Sequence, residues 1–112
     1  MFPKKHRVRK EKKIKKILKN NQRINNKFFS LLYLKNHLGY ARGTVIVSKK
    51  YDKRAVYRNK LKRKFREAAY HFIIKSSQNL DIIIIPKYNA KNINFHDIKS
   101  NLENAFKKIT HK

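Results

Sequence analysis

The sequence predicts an α+β fold, a small two-layer sandwich in which helices pack on one short sheet. Three observations predict it. Apolar residues recur at helical spacing in separated stretches, β-branched and aromatic runs lie between them, and 112 residues make one domain rather than two. A chain of this size buries about two-thirds of its extended surface, so one modest core is within reach. With 40% apolar and 12% aromatic residues, the chain lies outside the low-hydrophobicity class that stays disordered.

The first helix is read from Ile14, Ile17 and Leu18, spaced i, i+3, i+4 inside the basic run 4–19. Asn20-Asn21 ends it, because Asn tolerates the left-handed cap conformation. The residues near Arg23 to Asn26 leave room for a short extra strand. Phe28 to Leu34 is too aromatic and branched for a loop, and Asn36-His37-Leu38-Gly39 follows it as a turn. Gly43 to Ser48 is a second strand, and the two strands read as an antiparallel hairpin. From Val56 to about Ser76, Leu61, Phe65, Ala68, Ala69 and Phe72 form one helical stripe. Asn79 to Pro86 holds Ile82-Ile83-Ile84-Ile85, the pattern of a strand buried on both faces. Asn94 caps the last helix with Asp97 in its first turn, where the dipole favours negative charge. Phe95, Ile98, Leu102, Ala105, Phe106 and Ile109 give that helix its apolar face. The predicted order is α-β-β-(β)-α-β-α, in a single domain spanning 1–112 with a basic N-terminal extension over about residues 1–10.

Charge narrows function more than fold does. Lys and Arg number 31 against 6 Asp and Glu, a formal +25 with histidine neutral. A surface this cationic repels itself, so the compact state calls for counter-anions or a polyanionic partner. The absence of cysteine excludes disulfides, thiolate nucleophiles and Cys-based zinc sites. No apolar stretch approaches the roughly 20 residues of a spanning helix, and no apolar segment follows Lys4-Lys5, so neither a membrane span nor a secretory signal is expected. The expected compartment is the cytoplasm.

Residues for protein-borne catalysis are not arranged. His6, His37, His71, His96 and His111 show no i, i+4 pair and no zincin-like motif. Glu11, Asp52, Glu67, Asp81, Asp97 and Glu103 are too scattered for a two-metal nuclease and read as caps or ion-pair partners. No glycine-rich phosphate loop and no Gly-x-Ser-x-Gly elbow occur. No catalytic residue and no metal site are expected in this chain.

The electropositive surface does point to a chemistry. Each cation set against a phosphate releases condensed counterions, and arginine adds a planar fork that lysine lacks. A charge run is usually just a solvated face, but six acids cannot neutralise this protein as a whole. Within the predicted helix from Val56 to about Ser76, Arg58, Lys62 and Arg66 form one ridge, and Asn59 and Arg63 a second beside it. Leu61 and Phe65 would lock the helix to the sheet. A rigid helix with two polar ridges suits structured RNA, which is recognised by shape and backbone.

This segment, Val47-Ser48-Lys49-Lys50 followed by Arg54-Ala55-Val56-Tyr57-Arg58-Asn59-Lys60-Leu61-Lys62-Arg63 and then Arg66-Glu67-Ala68, resembles the signature of the bacterial ribonuclease P protein family. Lys4-Lys5-His6-Arg7-Val8-Arg9, Phe29 with its strand, Asp81-Ile82-Ile83-Ile84-Ile85 and the terminal helix fall in the family's order, so the resemblance covers nearly the whole chain. It implies a fold like domain 2 of ribosomal protein S5, with a left-handed crossover through the signature helix. It implies a protein that is not itself catalytic but binds a large catalytic RNA, whose magnesium ions serve removal of the 5′ leader from precursor tRNA. No cofactor would be bound by the protein alone, and no protein partner is expected. Carried over residue by residue, the catalytic-RNA contacts would be Arg54, Arg58, Asn59, Lys60, Lys62, Arg63 and Arg66, and the N-terminal phosphate contacts Arg7, Arg9 and Lys10. A leader cleft between first helix and sheet would use Ile14, Leu18, Leu32, Tyr33, Ser48, Lys49 and Lys50.

The chain departs from the family at several places. Lys60 stands where a third Arg is usual, Ile14 and Leu18 where phenylalanine is frequent, Lys13 for an Asp, Asn21 for a Gly, and Asp52 for a turn Gly. For Ile14 and Leu18 the plainer reading is an amphipathic stripe packed under its own helix. The rival function is a structural ribosomal protein, which shares size, charge and fold type.

Overall fold

The computed structural model describes residues 6–7, 11–19, 22–48, 53–75, 79–90 and 93–110. Along these the elements are α1 (Glu11–Lys19), β1 (Gln22–Asn25), β2 (Phe29–Lys35), β3 (Arg42–Val45), α2 (Ala55–Lys75), β4 (Leu80–Pro86) and α3 (Phe95–Thr110), with a 3-10 turn at Tyr88–Ala90. The extra strand near Arg23 is therefore present as β1, and the order α-β-β-β-α-β-α is the one the sequence predicts.

The sheet order corrects one expectation. The four strands run β1-β2-β4-β3, so β2 and β3 are not a hairpin; β4 lies between them, antiparallel to β2 and parallel to β3. The physical reason is in β4 itself. Leu80 through Ile84 are all buried, and a strand apolar on both faces belongs in the middle of a sheet. Parallel β3 and β4 then need a crossover element between them, which α2 supplies. The hairpin that does form is β1–β2, whose turn is held by Phe28 and Phe29 backbone amides donating to Asn26 Oδ1 at 2.7 and 2.9 Å. The segment after β2 still turns as predicted: Leu38 N donates to Asn36 Oδ1 at 3.0 Å, and Gly39 takes φ +81°, which other residues rarely adopt.

Strand alternation divides the core. One face presents Phe29, Leu31, Tyr33, Val45, Ile82 and Ile84 to α2 and α3, making the main core with Leu61, Phe65, Ala68, Ile98 and Leu102. Phe29 meets Phe65 edge-on at 5.8 Å, and Phe72 stacks on Phe106 at 5.0 Å, tying α2 to the sheet and to α3. The opposite face carries Leu32 and Ile83, and there α1 lays Ile17 over them. The cap on α3 is as expected: Asp97 N donates to Asn94 Oδ1 at 2.8 Å, and Asn94 Nδ2 to Asp97 Oδ2 at 3.0 Å. Of the predicted α3 face only Phe95 departs, lying 43% exposed in the first turn.

Part of the N-terminal extension is docked. Arg7 bridges Gly43 in parallel on the outer side of β3, and buried His6 places Nδ1 2.7 Å from the Ala41 carbonyl with its ring edge-on to Tyr40. An edge strand that would otherwise offer unpaired backbone groups is thus covered at this point.

Candidate nucleic-acid interface

Helix α2 is fixed from below. Leu61, Phe65, Ala68, Ala69 and Ile73 are buried along one side, and β-branched residues and glycine are nearly absent from the part that carries the cations. The helix starts at Arg54, whose carbonyl accepts from Tyr57 N at 3.2 Å and Arg58 N at 3.3 Å. Around the outer sector Asn59, Lys60 and Arg63 are exposed, while Arg58, Lys62 and Arg66 lie half-buried along the flank of the core stripe. Their four-residue spacing places successive cations about 6 Å apart along the axis. The first turn holds no acidic residue to neutralise them. The six described signature positions therefore share one rigid helix with Arg54 just before it; the Asn59 and Arg63 ridge faces outward and the Arg58, Lys62 and Arg66 ridge runs along the flank of the core stripe.

The second predicted surface, between α1 and the sheet, is only partly assembled from the expected residues. Ile14 is half-buried against the Ile17, Leu32 and Ile83 cluster, and Leu18 is 44% exposed. Ile17, which the sequence reading did not assign to the site, is the anchor of α1 at 1% exposure. Leu32 faces α1 but is fully buried against Ile17 and Ile83, so it lies beneath this surface rather than lining it. Tyr33 is a correction. Alternation turns it to the opposite face, into the main core, where its hydroxyl donates to Gln22 Oε1 at 2.9 Å. The half-buried floor beside α1 is instead Ile46 and Ile85 with Ser30, set in register by the pairing Ser30–Ile85 and the bond from Ile46 N to the Ile84 carbonyl at 3.0 Å. In sequence Val45-Ile46-Val47 is an unbroken apolar run, so neither the direction of Ile46 nor its placement beside Ile85 was readable without the register. Ser48 is exposed just past β3. Arg9, Lys10, Lys49 and Lys50 lie outside the described residues, and Arg7 is on the β3 edge described above.

At the far end of this groove a cavity of about 240 Å³ opens between α1 and β2, lined among others by Lys16, Ile17, Leu34, Asn36, Arg42 and Asp81. Its floor is a buried two-pronged ion pair. Arg42 donates through Nε to Asp81 Oδ1 at 2.8 Å and through its terminal nitrogen to Oδ2 at 2.6 Å, and Asn36 Nδ2 adds a bond to Oδ1 at 2.9 Å. The Asp81 hydrogen bond holds the Arg42 guanidinium above its ordinary range, against the opposing effect of burial. Among the described residues no group of three or more His, Cys, Asp or Glu could hold a metal ion, and no helix is long and apolar enough to cross a membrane. What the arrangement presents chemically is a cationic surface along α2 and a half-buried apolar strip beside α1.

Known proteins match this architecture and this sequence. The family model described as Ribonuclease P matches residues 2–110. The ribonuclease P protein component of Thermotoga sp. (strain RQ2) is 31% identical, with 96% of this chain and 95% of that protein covered. The ribonuclease P protein component of Fusobacterium nucleatum is 40% identical over 79% of this chain and 86% of its own length. Among solved structures, a Staphylococcus aureus RNase P protein mutant with defective mRNA degradation activity superposes with a TM-score of 0.83 at 30% identity, covering 96% of this chain and 90% of that one. The RNase P protein from Thermotoga maritima superposes with a TM-score of 0.81 at 28% identity, covering 91% and 96% respectively.

Proposed function

This chain belongs to the ribonuclease P protein family, its function is that of the protein component of this tRNA-processing ribonuclease, and we propose that it works by holding RNA rather than by cutting it. In this reading α2 docks on a catalytic RNA subunit, the groove beside α1 receives the 5′ leader of precursor tRNA, and the hydrolytic step with its magnesium ions belongs to the RNA. The cytoplasm, where tRNA is processed, is the compartment this reading requires.

The observation that carries it is the two-sided character of α2. Buried Leu61, Phe65, Ala68 and Ala69 remove the helix's freedom, so Arg58, Asn59, Lys60, Lys62, Arg63 and Arg66 are presented in a fixed pattern before any RNA arrives. Preorganised cations lose little conformational entropy on binding, which is what makes them effective against a large folded polyanion. A rigid cationic helix would suit ribosomal RNA as well; the matched relatives and solved structures, which are ribonuclease P proteins, favour this reading over a ribosomal protein.

Two measurements test this. Highly purified protein, freed of RNA by nuclease digestion, should cut no RNA with or without magnesium, and adding the cognate catalytic RNA should give precursor-tRNA cleavage at lower magnesium than that RNA needs alone. Replacing Arg58, Arg63 or Arg66 by Ala should weaken binding to the catalytic RNA by about 1–3 kcal/mol each where the contact is charge-assisted and desolvated. Cleavage by RNA-free protein, or unchanged RNA affinity in all three variants, would overturn the proposal.

A further inference from the structure

The first turn of α2 carries an aromatic residue that the two cationic ridges do not use. Tyr57 is 45% exposed and its neighbour Val56 is 74% exposed, although the buried stripe of the same helix begins only one turn later, at Leu61. Helical geometry sets Tyr57 about 100° around the axis from Arg58, on the side of Lys60 and Lys64 rather than that of Lys62 and Arg66. It continues the line of Leu61 toward the helix start and is left exposed there, beyond the buried stripe. The guanidinium of Arg54 lies over its ring, 4.0 Å from the centroid. Arg54 is itself held by the helix start, since its carbonyl takes both the Tyr57 and Arg58 amides. The result is a preassembled guanidinium–aromatic stack at the head of the cationic helix, in a protein of formal charge +25.

We propose that Tyr57, with Arg54 stacked on it, is a platform for an unpaired base of the RNA that α2 binds. The inference rests on the proposed function and adds to it a residue that reads single-stranded character instead of backbone charge. Chemistry favours a base as occupant. Every nucleobase offers a π face, aromatic side chains and arginine planes are where unstacked bases are held, and the surrounding charge draws a polyanion to this end of the helix. Unpaired bases, bulged or at a loop, are the parts of a folded RNA that can meet such a platform.

The test uses wild-type, Tyr57→Ala, Tyr57→Leu, Tyr57→Phe and Arg63→Ala proteins with the cognate catalytic RNA at several salt concentrations, with free-protein melting points measured alongside. Stacking predicts a loss of about five- to a hundredfold in affinity for Tyr57→Ala and nearly as much for Tyr57→Leu, retention by Tyr57→Phe, and an unchanged salt slope. Arg63→Ala should instead reduce the salt slope. The chain has no tryptophan, so Tyr57→Trp introduces a single reporter whose fluorescence should be quenched on RNA binding. Wild-type affinity in Tyr57→Ala with Arg63→Ala weakened would overturn the platform and leave the proposed function standing. Full affinity in Tyr57→Leu would mean apolar contact without stacking and overturns it too. Failure of the wild type to bind the RNA would overturn both.

Discussion

Asp81 shows how much a single side chain carries in a protein with so few acids. It is buried in β4, two strands are joined at its carboxylate, and Arg42 reaches it from β3 with both prongs of its guanidinium. Asp81→Asn leaves that guanidinium against a neutral amide, and should cost about 3 kcal/mol, the low end for breaking a buried pair because the Arg42 side chain keeps 13% exposure. Urea unfolding at constant phosphate should show this loss, and a change below about 1 kcal/mol would mean the pair is worth no more than a surface one. The pH dependence of the arginine side follows from its sign. Arg42 has its affinity for the proton raised in the fold, so its contribution is fully present below the ordinary arginine range and disappears only as pH rises through the raised value. Mild alkali therefore does not release this pair. None of it was legible residue by residue: Arg42 and Asp81 are 39 positions apart, and only the strand register makes them neighbours. The α2 cations were legible, because helical spacing alone puts Arg58, Lys62 and Arg66 on one ridge.

At the scale of elements, local pattern and long-range pairing separate cleanly. The helices and β4 are where periodicity puts them, with α2 running Ala55–Lys75 against an expected Val56 to Ser76. The expected β2–β3 hairpin fails because turn signals report only that the chain reverses, and Asn36 to Gly39 does turn, but toward the far side of β4. The all-apolar Ile82–Ile85 run implied burial on both faces, but which strands flank it is set by long-range pairing. The same limit explains Tyr33 and Leu32: alternation says they face opposite ways, and only the positions of α1 and α2 say which way is which. A prediction follows for α1. This nine-residue helix is too short to persist alone and is held on the sheet chiefly by fully buried Ile17. Ile17→Ala should cost about 2–5 kcal/mol and weaken precursor and mature tRNA binding alike, because it loosens the helix itself. Leu18→Ala, at an exposed position, should change stability by less than about 0.5 kcal/mol and, if the groove holds the leader, weaken only leader-bearing substrates. Equal losses for both substrates with Leu18→Ala would place the leader elsewhere.

For the whole molecule the governing quantity is the formal charge of +25 spread over 112 residues. Small domains retain only a few kcal/mol of net stability after entropy has opposed burial, and self-repulsion among the basic residues subtracts from that margin. The fold concentrates this cost: α2 holds its cations at fixed spacing, whereas an unfolded chain lets them move apart. An anion that binds the folded arrangement and not the open chain adds RT ln(1 + [L]/Kd), about 2.7 kcal/mol at a hundredfold excess over Kd. Each kcal/mol moves the midpoint of a domain near this size by about 4–8 °C, so saturating sulfate should raise the melting temperature by on the order of 10 °C or more. Screening offers a competing explanation, since any salt weakens repulsion between exposed charges. Sodium chloride at matched ionic strength separates the two. Site binding predicts that sulfate and phosphate stabilise well beyond chloride and that helical circular dichroism rises with them at low ionic strength. It further predicts that the excess over chloride shrinks in an Arg58→Ala, Arg63→Ala, Arg66→Ala triple variant, since those residues hold the anions. Coincident sulfate and chloride curves at equal ionic strength would reduce the effect to screening, and a flat melting temperature across both titrations would mean that the core alone holds the fold against its own charge.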